Sequence, residues 1–197
     1  GMCGNGVFHS LHAGIFLYCV HIVSAVLTAL VLRPKNIPAP AKPDDFPQTL
    51  RAAPLFVQAV LSAGCASLHV SAFVLVFSVI LSLARQTGLF SLVLSVSAPL
   101  CSAFGLSDGT GVLIGLLELT QGLAHLTPHA GTLAARLTTV SFLCAFGGVS
   151  VLFQTAAVTD GLAFRACLRG KLVHALLAAL VCAAALHVVP TSWLESL

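Results

Sequence analysis

The stretch Gly111-Val-Leu-Ile-Gly115-Leu-Leu-Glu118-Leu-Thr-Gln121-Gly122-Leu-Ala-His125 sets one carboxylic acid in the middle of an apolar sequence. Read as one continuous helix, Gly111, Gly115, Glu118, Gln121, Gly122 and His125 recur every three or four residues and share a face, while Leu113, Leu116, Leu117 and Leu123 point elsewhere. A carboxyl at the bilayer centre costs about 2.5 to 3.5 kcal/mol even on insertion scales, so Glu118 must face protein or a water-filled cavity. Two readings are open. In one, Glu118 pairs with Arg136 or His125, or sits near a membrane surface, and only holds helices together. In the other it serves a ligand, an ion or a proton, the default for an intramembrane acid.

The surrounding composition supports a membrane setting. The chain has 197 residues, of which 58% are hydrophobic and 8% charged, and its mean hydropathy of +1.03 lies far outside the range of water-soluble domains. Such a chain reads as a polytopic membrane domain, and its apolar runs of 20 residues and more read as spanning helices, whose backbone bonds are satisfied within the segment. The expected fold is all-α: a polytopic helical membrane protein with interrupted or re-entrant helices. Nine Lys and Arg against six Asp and Glu are too sparse and scattered for nucleic acid. Cys3, Cys19, Cys65, Cys101, Cys144, Cys167 and Cys182 lack CxxC spacing and lie mostly in apolar runs, which suits small packing residues. Neither HExxH nor GxSxG occurs, so no enzyme, metal or cofactor is expected. No basic region with a cleavage site opens the chain, and Gly1-Met2-Cys3-Gly4-Asn5-Gly6 reads as an internal loop of a longer protein.

Residues 7–32 contain no charged side chain and exceed the roughly 20 residues a span needs. His9, His12 and His21 lie on this first span, where two helix-neighbour histidines make a weak metal signal and a polar packing role fits better. Residues 33–51 hold five prolines and several charges and form an aqueous loop. The next charge-free run, 52–84, is longer than one span. It reads as a surface-lying or tilted first part followed by a crossing through Phe73 to Leu83, with Gln58, Ser62, Cys65 and His69 on one face as a cavity lining or a packing seam.

Residues 86–126 fit either a hairpin dipping into the membrane or two short crossings, with Asp108 placed to cap the helix that carries Glu118. Residues 132–158 cross once but are interrupted at Gly147-Gly148. Paired glycines expose backbone groups that protein or a cavity must receive. A half-helix starting after them presents its positive end inward, with Ser150 and Gln154 on one face, and interrupted hydrophobic segments are the best sequence pointer to a transporter's midplane site. A kink for close packing is the plainer alternative. A last span, 172–189, follows the basic cluster Arg165, Arg169 and Lys171 and ends at Pro190, with Trp193 at the interface. Seven of the nine basic residues then lie in two loops on one side, which places both chain ends outside.

Three motifs also resemble a known family. Gly115-Leu-Leu-Glu118-Leu-Thr-Gln-Gly122, then Phe146-Gly147-Gly148-Val-Ser150 followed by Gln154, then Lys171-Leu-Val-His174-Ala-Leu-Leu-Ala are similar in order and spacing to the C-terminal half of the sporulation integral membrane protein YlbJ family. His21, Arg33 and Phe77-Ser78-Val79 fit the same pattern. The resemblance implies that 1–197 is a single Gate-like, or nucleoside-recognition, domain forming the C-terminal half of a longer transporter. It would be related to concentrative nucleoside transporters and to the membrane gate of ferrous-iron permeases. The family tends to have glycines where Ser71-Ala72 stands and a more polar stretch before Gln154 than Leu152-Phe153.

By that resemblance the protein moves a small anionic aromatic acid such as dipicolinate across the cell membrane or forespore membrane of a spore former. Glu118, Gln121, Gly147, Gly148, Ser150 and Gln154 are the candidate substrate and ion residues. The partners implied are a small-molecule substrate, a coupling cation, the lipid bilayer, and a missing N-terminal half or a second copy. The rival expectation is a non-transporting scaffold needed for spore envelope assembly.

Overall fold

A computed structural model describes residues 8, 10–33, 52–126, 130–159 and 164–195. Over these residues the protein is all-α: α1 (Leu11–Val31), α2 (Ala52–Gln86), α3 (Leu89–Ala103), α4 (Thr110–Leu117), α5 (Leu119–His125), α6 (Leu133–Phe146), α7 (Gly148–Val158), α8 (Phe164–Leu186) and α9 (Thr191–Glu195). Four stretches, Leu11–Val31, Leu55–Gln86, Leu133–Ala157 and Phe164–Leu186, are long and apolar enough to cross a membrane. This is a polytopic helical membrane protein. The proline-rich loop 33–51 lies, apart from Arg33, outside the described residues, as does His9.

Helix starts follow local chemistry. Ser10 begins α1 by accepting the Ala13 amide at 3.3 Å, and Thr132 begins α6 by accepting the Ala135 amide at 3.2 Å, each satisfying one otherwise orphaned donor. The N-cap of α4 is Gly109, without a side-chain cap bond; the Asp108 expected there stands one residue earlier and its carboxylate accepts the Thr110 amide at 2.8 Å.

α8 is the hub, packed most extensively on α6 and α1. Phe16 and Val20 of α1, Leu137, Val140 and Leu143 of α6 and Cys182 of α8 are buried in one cluster. Leu32 lies within 3.9 Å of where a β-carbon on Gly170 would stand, while His12 and Trp193 have ring centroids 4.5 Å apart. The end of α1 therefore meets the start of α8, and the start of α1 meets the end of the chain. Arg33, just past the end of α1, is thus at the same end of the bundle as Arg165 and Arg169 at the start of α8.

Two expectations are corrected. Residues 52–86 form one unbroken helix of about 52 Å at 1.5 Å per residue, so the separate surface-lying first part is not formed and the tilted alternative is the one compatible with it. It packs chiefly on α7 and α3, and Gln58, Ser62, Cys65 and His69 are exposed. The last span also begins earlier, at Phe164, so Arg165, Arg169 and Lys171 belong to α8 itself.

Candidate functional site

The helix carrying Glu118 is broken at that residue. Glu118 has φ −137° and ψ 115°, extended geometry that ends α4 and starts α5. The expected continuous polar stripe is therefore not formed. At about 12 Å and 10 Å, α4 and α5 are too short to cross a hydrocarbon core of about 30 Å. The chain turns back instead: a β-carbon on Gly122 would overlap the Cα and N of Gly115 and lie 2.8 Å from the Gly111 carbonyl. One on Gly111 would lie 2.9 Å from Leu126 Cγ. Three glycines thus let two helices touch backbone to backbone in a re-entrant hairpin. At its feet the Ser107 amide donates to the Ala130 carbonyl at 2.9 Å and the Thr132 amide to the Gly105 carbonyl at 3.3 Å, so the chain returns to the side it left.

Glu118 is only 2% exposed. Its carboxylate accepts the Gln121 amide at 2.8 Å, the Thr120 amide at 3.1 Å and the Thr120 hydroxyl at 2.7 Å. An acid at a helix amino end is favoured by the helix dipole and satisfies the first orphaned amides. The cost of a buried carboxylate is met by its own turn, not by the basic partners considered above. The Arg136 guanidinium stands over the Phe8 ring, 5.0 Å from its centroid, and His125 Nε2 meets Arg85 Nη2 at 3.2 Å. Gln121, half-buried, donates through Nε2 to the Ser78 hydroxyl and ties the hairpin to α2.

The second interruption lies where the glycine pair predicts it. Gly147 and Gly148 have φ +81° and +79°, a left-handed conformation costing other residues roughly 1 to 2 kcal/mol each, and both are buried. A β-carbon on Gly148 would stand 3.0 Å from the Gly115 carbonyl oxygen and 3.2 Å from that of Leu117. The start of α7 thus abuts the carbonyl end of α4, and the hairpin turn rests on the broken helix. The negative end of another half-helix thus lies beside the start of α7, where an anion was expected. One turn on, the buried Ser150 accepts from Gln154 Nε2 at 3.1 Å.

The structure therefore brings Glu118, Gly147 and Gly148 to one locus and pairs Ser150 with Gln154, while Gln121 turns toward α2. It adds a residue that the sequence offered only as part of a basic cluster and a motif, not as a site residue. Lys171 reaches back to the break, its Nζ 3.1 Å from the position of a Gly147 β-carbon. Beside it, His174 Nε2 lies 3.1 Å from the Ser24 hydroxyl, and the His21 and His174 rings meet edge to face at 5.7 Å. The signal was the spacing of Lys171 and His174, one helical turn apart, once α8 is seen to begin at Phe164. Among the described residues no group of three or more His, Cys, Asp or Glu is placed to hold a metal ion. Cys101 and Cys182 are buried, whereas Cys19 and Cys65 are exposed. No family model, curated protein or solved structure matches the chain.

Proposed function

We propose that this protein is part of a secondary transporter for a small metabolite, with its working centre where the hairpin turn at Glu118 meets the break at Gly147-Gly148. The observation that carries this reading is the approach of Gly148 to the Gly115 and Leu117 carbonyls. Two interruptions, from separate segments, lie together inside an apolar bundle. Irregular backbone at membrane depth is tolerated only against protein or a cavity, and paired discontinuous helices are how such transporters build a midplane site. The resemblance to the YlbJ family supports an anionic aromatic acid such as dipicolinate as the cargo and a forespore or cell membrane as the location. In this reading Glu118 shapes the hairpin tip, and the acceptor capacity left on its carboxylate is where a coupling cation would bind.

A second reading, a membrane scaffold without transport, is favoured by one feature. The exposed polar stripe Gln58, Ser62 and His69 on α2 is a surface for another membrane protein. Uptake of radiolabelled dipicolinate into sealed vesicles, with and without an ion gradient, separates the two. Saturable uptake abolished by Gly148→Leu at equal protein level is expected. Absence of uptake over empty vesicles under either gradient would leave the scaffold reading.

A further inference from the structure

Along α2, Leu61, Leu68 and Leu75 alternate with Gln58, Cys65 and Ala72 in steps of three and four residues, the heptad spacing that keeps one line of a helix against a parallel neighbour. We infer that this seam is the interface between two copies of the chain, whose α2 helices lie parallel about a two-fold axis and set each of these residues against its own counterpart.

Placement on the helix comes first. At about 100° per residue, the seam lies on the side of α2 opposite Phe77 and Leu81, which are buried where α2 packs on α7 and α3. Leu61, Leu68 and Leu75 are 64%, 72% and 67% exposed. Toward the amino end every residue of 55–72 is exposed, so the first half of the helix is open on all sides within the described chain.

A bilayer alone does not satisfy such a seam. Even tilted by 40°, a helix of about 52 Å rises about 40 Å, and the hydrocarbon core is about 30 Å thick, so part of α2 stands outside the core. Should the amino-terminal part stand outside, Leu61 and Leu68 present a contiguous apolar row to water, the mark of an interaction surface. Should it stand inside, the Gln58 amide faces lipid tails, and it has no hydrogen bond within the described chain. A neighbouring protein helix answers either case.

A second copy fits because the seam is complementary to itself. Copies inserted with one topology run parallel, so equal positions meet across a two-fold axis. A side-chain amide holds both donors and an acceptor, which lets Gln58 bond its counterpart, and a polar residue at one such position fixes the register of the pair. Cys65 and Ala72 are small enough for close approach of the helices, and the leucines fill the space between. The inference commits the α2 surface to one occupant and does not rest on transport. Because Gln121 ties the hairpin to Ser78 of α2, each helix of the pair carries one hairpin.

The natural cysteine on the seam supplies the test. The full chain is reconstituted in phosphatidylcholine vesicles at a low protein-to-lipid ratio and oxidised with copper phenanthroline, and linked peptides are identified by mass spectrometry. A disulfide joining Cys65 of the two copies is expected. In a background without the other cysteines and with Cys65→Ser, Ala72→Cys should link too, whereas Ala59→Cys and Ala66→Cys, exposed on the opposite side of α2, should link about tenfold less. In mild detergent, light scattering should give a dimer, with association weakened about tenfold in Leu61→Ala/Leu68→Ala. Linking through Cys65 in the unaltered chain decides even where a substituted background fails to fold. Equal linking from both sides, a monomer at every protein-to-lipid ratio, or unchanged association in the double alanine variant overturns the inference. So does a Cys65 shielded from a lipid-soluble maleimide in native membranes yet reactive in the purified chain, which would assign the seam to a different membrane protein.

Discussion

Gly122 lies against Gly115 so closely that the α-carbon of one occupies the space a side chain on the other would need. This contact, rather than any helix-breaking residue, is what lets the chain reverse at Glu118. A methyl group at Gly122 has nowhere to go except into backbone. Gly122→Ala is expected to destabilise the protein by about 2 kcal/mol or more, the upper part of the usual cost of overpacking. Gly64→Ala, on an exposed face of α2 with nothing within 4 Å, should be neutral or slightly stabilising. Unfolding temperatures of the two variants in one detergent check this; equal temperatures would mean that α4 and α5 are not in contact.

Glu118→Gln and Glu118→Leu separate shape from charge. The amide keeps one acceptor oxygen for the turn, whereas leucine strands the Thr120 and Gln121 amides at a cost of about 1 to 3 kcal/mol each. Glu118→Leu should therefore lose abundance and hairpin structure, and Glu118→Gln should insert normally. If the carboxylate also holds a coupling cation, Glu118→Gln loses gradient-driven uptake at unchanged abundance. Uptake that keeps its gradient dependence in Glu118→Gln would restrict Glu118 to its capping role.

Gly148→Ala combines a left-handed backbone with a tight approach to two carbonyls. Its expected cost is about 1 to 2 kcal/mol from the backbone alone, with uptake falling further than abundance does. Gly131 is not the tolerant comparison its place in a connecting segment suggests. Its φ is +149° and a β-carbon would press on the Gly105 carbonyl, so Gly131→Leu should also damage the protein, and Gly64→Leu is the sound control. Uptake per molecule in Gly148→Ala equal to wild type would make the break a packing detail.

Topology is tested independently of transport. Single cysteines introduced at Lys35 and Asp160 in a Cys-free background should react with a membrane-impermeant reagent from one side, and a cysteine at Asp108 from the other. Labelling of positions 35 and 160 from opposite sides is incompatible with Leu32 meeting Gly170.

The four long apolar spans outside 86–126, the helical class and the break at Gly147-Gly148 were legible because each rests on a local signal: apolar length, sparse charge, a glycine pair. The reversal at Glu118 was not, since Leu117-Glu118-Leu119 contains neither glycine nor proline. The fold is decided there by tertiary contact between glycines seven residues apart, and by an acid that caps the helix following it. Thr120 and Gln121, two and three places after the acid, were the available hint. Lys171 was hidden for another reason. Grouped with Arg165 and Arg169 it reads as part of a basic cluster before the span, and only the start of α8 at Phe164 sets it on the helix beside the Gly147 break.

The paired backbone bonds joining 105–107 to 130–132 have a mechanical meaning. They fasten both legs of the α4–α5 hairpin to each other at the base, so neither leg can slide lengthwise past its fellow without breaking them. The hairpin is a bracket fixed at its feet. Its tip, bearing Glu118, is pinned as well, by the Gln121 bond to Ser78 and by the close approach of Gly148 to the Gly115 and Leu117 carbonyls, so the bracket is braced at both ends.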